Sequence, residues 1–245
     1  MRSLDLSPRG INNRLTIQRS YGERMTTLAE TVFAGMPTQS FTNGQTFVQY
    51  NGLSAVCSIP SGGSVAIVSD GLKVNHPTSS SSEVAFYYPA PMVSKVVGAA
   101  RWRRGRWACW TRIAAASTTW QYVMGFDGNY PAHGFNIRKR TAGLFGGYWL
   151  GSEVDTQLRG TSSGANVACM YWRSPYSVEY LYGNTVNGAW PDFESLTLGG
   201  MVNGAPSYAN ARNVDSFLLN ICGGGYSGNT ANYMTVAGWR ITTWD

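Results

Sequence analysis

The chain has 245 residues, of which 43% are hydrophobic and 13% charged, with 29 glycines, 14 tyrosines and 9 tryptophans. That apolar fraction excludes a disordered chain, and few charges with many glycines and aromatics favour short strands and tight turns over helices. The net charge of +6 is carried almost wholly by arginine, yet no zinc-finger, helix-turn-helix or RNP-type pattern is present, which excludes sequence-specific nucleic-acid binding by those modules.

Residues 1–35 differ from the rest. Arg2, Arg9, Arg14, Arg19 and Arg24 recur among polar residues and are offset only by Asp5, Glu23 and Glu30. This segment reads as a basic arm able to grip partner subunits, with a frayed terminus as the competing reading. Thr27 followed by Glu30 has the spacing of a capping box and predicts a short helix there. The start of the chain lacks an apolar core of signal-peptide type, and no apolar run reaches membrane-spanning length. Synthesis and retention in a cytoplasm are therefore expected.

From residue 36 to 245 the chain reads as one sandwich. Strands are predicted at 46–50, 54–59, 64–68, 71–74, 84–88, 93–98 and 107–114. Further strands follow at 120–126, 134–138, 143–150, 167–172, 177–182, 196–198, 217–222 and 235–242. Asn51-Gly52, Asp70-Gly71, Asp127-Gly128 and Asn187-Gly188 supply turn residues that tolerate positive φ. Strands of this length and spacing predict an all-β, two-sheet jelly roll behind an N-terminal arm. The serine run at 78–82 is a loop without chemistry.

Several stretches from about residue 105 onward carry a family pattern. They are Trp107-Ala-Cys-Trp-Thr-Arg-Ile113, Trp120-Gln-Tyr-Val-Met-Gly-Phe126, Val167-Ala-Cys-Met-Tyr-Trp172 and Ser177-Val-Glu-Tyr-Leu-Tyr-Gly183. Phe217-Leu-Leu-Asn-Ile-Cys222 and Val236-Ala-Gly-Trp-Arg-Ile241 complete it. Their order resembles the LamG-like, concanavalin A-type lectin/glucanase jelly roll. The resemblance covers more than half the chain and implies the fold more strongly than any activity.

Hydrolytic members of that family carry Glu-x-Asp-x-x-Glu on one strand. The nearest match, Glu153-Val-Asp155-Thr-Gln-Leu158, lacks the third carboxylate. No catalytic residues are assigned, and the chain is expected not to be an enzyme. Asp127-Gly128-Asn129-Tyr130 faintly matches a legume-type calcium loop but offers too few carboxylates, so a plain turn is preferred and neither metal nor cofactor is expected. His76 and His133 are the only histidines, which argues against a zinc site. Cys57, Cys109, Cys169 and Cys222 read as buried thiols in preference to disulfides.

Two surface chemistries remain. Arg101, Arg103, Arg104 and Arg106, interleaved with Trp102 and Trp107, suit contact with a protein partner, ahead of a solvated turn or a nucleic acid. Arg138-Lys139-Arg140 is a second basic cluster of the same kind. Tyr130, Trp190, Tyr208 and Tyr226, near Asn129, Asn210 and Asn229, could stack on a sugar, or instead cover sandwich edges and interfaces. The leading expectation is a non-catalytic virion component, a decoration or cement protein binding other subunits or copies of itself. A carbohydrate-binding module comes second and a glycoside hydrolase third.

Overall fold

A computed structural model of the chain describes residues 24–49, 53–76, 84–89, 95–98, 100–101, 105–116, 121–129, 133–140, 143–150, 153–154, 164–174, 177–203, 218–223 and 232–244. The strands in the first part are β1 (Met25–Val32), β2 (Gln39–Ser40), β3 (Thr46–Val48), β4 (Ser54–Ser58), β5 (Ser64–Val68), β6 (Gly71–His76) and β7 (Ala85–Tyr88). They continue as β8 (Trp107–Ala116), β9 (Gln121–Asn129), β10 (His133–Arg140), β11 (Gly143–Leu150), β12 (Glu153–Val154) and β13 (Val167–Ser174). The last are β14 (Ser177–Gly183), β15 (Thr197–Asn203), β16 (Leu218–Gly223) and β17 (Asn232–Trp244), with a 3-10 turn at Phe193–Ser195.

The strands form two antiparallel sheets, packed as a jelly-roll sandwich. Sheet A runs β15-β14-β13-β8-β17-β6-β5-β2, and sheet B runs β12-β11-β10-β9-β16-β7-β4-β3. One flank of β17 is shared end to end. Its first residues, Asn232 to Val236, pair β6, and the stretch from Gly238 to Trp244 pairs β1. The chain passes closely at the junction, where a Cβ on Gly71 would lie 2.2 Å from the Val236 carbonyl oxygen. Gly71 also holds φ +143°, so only glycine meets both demands.

The core fills the space between the sheets. Trp107, Cys109 and Ile113 of β8 face it with Phe86 of β7, Phe126 of β9, Trp172 of β13 and Trp239 of β17. Ala108 and Trp110, alternating with them, point to the other side of sheet A, which holds a second apolar cluster with Val167, Cys169, Leu181, Phe193 and Leu196. A strand buried on both faces reads as the near-continuous apolar run seen from Trp107 to Ile113. Cys57, Cys109 and Cys169 are buried free thiols.

Three local expectations are corrected. Thr27 to Glu30 are part of β1, not a helix, because pairing with β17 satisfies the backbone groups that a capping box would serve only locally. The β-branched Thr26, Thr27, Thr31 and Val32 favour that outcome. Met25–Val32 is therefore a strand of sheet A. Residues 95–97 form a helical turn where a strand was expected, with Val97 fully buried; a short apolar run fits either form. Asp127-Gly128 is no turn, since β9 keeps its pairing with β10 as far as Asn129.

Candidate functional site

The two outer faces of the sandwich differ in chemistry. Across sheet A, strand register aligns Glu30, Arg240, Trp110, Cys169, Leu181 and Leu198 in one row. The chain covers much of this row with its own residues 190–196. Phe193 lies 5.7 Å from Trp110, ring to ring, and Leu196 joins the same cluster.

Arg240 is the polar centre of that face. Its guanidinium sits 4.2 Å from the Trp110 ring centroid and 4.8 Å from that of Trp190. The Trp190 indole N–H donates to Glu30 Oε1 at 2.6 Å, while Trp110 donates to Thr242 Oγ1 at 2.8 Å. Burial lowers the Arg240 pKa, and the Glu30 carboxylate opposes that shift. Among the described residues Arg240 Nε and Nη2 are buried without a hydrogen-bond partner, and the cation is held by rings and a nearby carboxylate.

Across sheet B the alternation leaves polar residues outward. Phe135 and Ile137 face the core while Asn136 between them does not, and Leu219 and Ile221 do the same around Asn220. Asn136 and Asn220 both pair with Gly125 of β9, one from each side. The row continues to Gly147 beyond Asn136 and to Tyr87 beyond Asn220. Two strand spacings put the Asn136 and Asn220 Cα atoms about 10 Å apart, over a glycine that adds no side chain.

Asn136 and Asn220 are only 3% and 8% exposed, so the row is recessed. Asn220 Oδ1 is buried and has no hydrogen-bond partner among the described residues. Such a group costs about 1–3 kcal/mol, which makes it a marker for a ligand hydroxyl or amide. A second row lies toward the other end of β10, with Leu218, Asp127, Gly134, Trp149 and Glu153 in register on successive strands.

Arg2, Arg9, Arg14, Arg19, Arg103, Arg104, Tyr130, Asp155, Tyr208, Tyr226, Asn210 and Asn229 lie outside the described residues. Arg24 and Arg101 are exposed. Arg106 is exposed at φ +68°, and its side chain bonds Tyr171 on the sheet A side. Trp107 beside it is not a surface anchor but a core residue stacked on Trp172. Trp190 is half-buried, its ring carrying Arg240 and also Arg112 at 5.4 Å. Among the described residues no cluster of His, Cys, Asp and Glu could hold a metal. Nor is any described helix long and apolar enough to cross a membrane.

Asn136, Gly125 and Asn220 were not expected as a site. The available signal was an amide placed at an outward position of an otherwise apolar strand, in Gly-Phe-Asn-Ile-Arg and Leu-Leu-Asn-Ile-Cys. Only strand order brings the two amides together.

No protein-family description matches the chain, and no curated protein matches it. Solved structures do. The laminarinase from Rhodothermus marinus matches at 11% identity and TM-score 0.45, covering 91% of this chain and 99% of its own. β-Agarase A from Zobellia galactanivorans matches at 8% identity and TM-score 0.47, covering 92% and 94%. A carbohydrate esterase of the Shiga toxin-encoding bacteriophage phi24B matches at 13% identity and TM-score 0.43, covering 90% and 99%. What is shared is the two-sheet fold.

These findings correct the leading expectation of a non-catalytic decoration or cement protein of a virion. The matching structures are named as a laminarinase, an agarase and a carbohydrate esterase, and the same finding removes the expectation that the chain is no enzyme. A search for carboxylates on one strand does not see that register sets Asp127 of β9 and Glu153 of β12 in one row.

Proposed function

We propose that this chain is a carbohydrate-active protein that takes a glycan on the outer face of sheet B. The observation that carries the reading is the Asn136–Gly125–Asn220 row with its unpartnered amide oxygen. Amides offer both donors and acceptors to sugar hydroxyls, and the glycine between them adds no side chain to the row. Tyr87, half-buried beside Asn220, adds an aromatic wall.

Asp127 and Glu153 stand at positions that register aligns, three strand spacings or about 14 Å apart at Cα. Glycan binding rests on the amide row and is the better supported reading; turnover is assayed directly.

Isothermal titration against a panel of soluble polysaccharides tests the proposal. Binding is expected, with at least tenfold weaker affinity in Asn220→Ala and Asn136→Ala variants that keep the wild-type circular dichroism. A panel of neutral and charged glycans with neither saturable binding nor release of reducing sugar would overturn it. If sugar is released, Asp127→Asn and Glu153→Gln variants report which acid takes part.

A further inference from the structure

We infer that the glycan taken by this face is anionic, its carboxylate or sulfate group lying at the Arg138 end of β10. The inference rests on the glycan-binding reading of sheet B and names the substrate class for that same face.

The argument is one of register. β10 pairs β11 without interruption from His133 to Arg140, so positions 134, 136, 138 and 140 share one face. Asn136 fixes that face as the outward one, because Phe135 and Ile137 belong to the core. Position 138 is therefore the next outward station after Asn136, about 7 Å along the strand. The irregularity opposite it falls in β9, where Ile137 pairs Met124 and Arg138 pairs Tyr122. On the other side Arg138 pairs Phe145. An arginine position flanked by two aromatic positions, one strand away on each side, is the pattern that receives a planar anion together with a sugar face. Arg140, two residues on, adds a second positive charge to the same end.

By register, positions 138 and 140 fall toward one end of this face, the Asn and Gly row is neutral, and positions 127 and 153 fall toward the other. Four residues of β10 separate position 138 from Gly134, which is aligned with Asp127, about 14 Å along the strand.

The test compares polygalacturonate and ι-carrageenan with neutral laminarin and agarose, using the full chain, at low and high salt. The inference expects the anionic glycans to bind more tightly, to lose at least tenfold affinity on Arg138→Ala and on raising salt, and to keep most of it on Arg138→Lys. Preference for polygalacturonate assigns the group as carboxylate, and preference for carrageenan as sulfate. Neutral glycans binding equally well, with Arg138→Ala without effect, would overturn the inference and leave glycan binding standing if Asn220→Ala still weakens it. Competition by a single-stranded oligonucleotide at equal affinity would overturn it as well. Absence of binding to all four polysaccharides would remove the glycan reading itself.

Discussion

Trp107 of β8 and Trp172 of β13 lie face to face, ring centroids 3.9 Å apart and planes within 8°. Sheet B meets this pair edge-on, with Phe126 at 5.3 Å from Trp107 and 4.9 Å from Trp172, and Phe135 at 5.7 Å from Trp172. Phe126 and Phe135 are chain neighbours of Gly125 and Asn136, so the floor of the glycan row rests on this cluster. Trp172→Ala is expected to destabilise the fold by about 3–5 kcal/mol, measured by urea unfolding, whereas Trp172→Phe loses much less. Glycan affinity should fall with Trp172→Ala even where the protein remains folded.

The Arg240 site separates charge from packing. Glu30→Ala removes the carboxylate near a buried cation and the acceptor for the Trp190 indole; because Glu30 is exposed and its attraction is screened by water, the expected cost is about 1 kcal/mol. Arg240→Met should be close to neutral, because an apolar side chain of similar volume needs no counter-charge between two indoles. Chemical denaturation of the two single variants and the double variant checks this. A double variant as unstable as Glu30→Ala alone would show that the carboxylate acts elsewhere.

Glycine is required where backbones touch. A Cβ on Gly105 would fall 2.5 Å from the Ser174 Cα, and Gly105 also holds φ +77°. Gly188, at the same φ of +77°, meets nothing within 4 Å. Gly105→Ala is therefore expected to be several-fold more costly than Gly188→Ala, whose cost should stay near 1 kcal/mol. Thermal melts of the two variants give the comparison.

Burial pushes the Cys57 thiol up to about 12 from 9.0, and Cys109 is shifted in the same direction for the same reason. Both groups are neutral in the fold and ionise more readily when unfolded. Their stabilising effect is complete below pH 9 and is lost as pH rises from about 9 toward 12, at up to about 1.4 kcal/mol per pH unit per group. Unfolding free energy measured from pH 8 to 11 should show this decline, with a shallower slope for Cys57→Ala. Native protein should resist alkylation at all three described thiols at pH 8.

Most strands were legible because they alternate or run apolar between glycine turns. Ser54–Ser58, Ser64–Val68 and Gly143–Leu150 match their expected positions closely. The turn at Asn187-Gly188 is also as its residues dictate, with φ values of +50° and +77° and mutual backbone bonds between Val186 and Ala189. β1 was not legible, since its threonines carry a local helix-start signal and its partner strand lies more than two hundred residues away. The candidate site was hidden for the same reason. Asn136 and Asn220 are ordinary amides until β9 and β16 become neighbours, and the aromatics singled out for sugar contact gave no hint of that row.

The sharing of β17 between β6 and β1 sets an order of events during synthesis. Met25 pairs with Trp244, so the earliest described strand stays open-edged until β17 has been made. β8 waits on the same segment for its other flank. Sheet A can close only once β17 has emerged, through contacts of very long loop length that make folding slow. Until then β1 lacks its partner and β6 and β8 each lack one flank, a period in which chaperone occupancy should be highest.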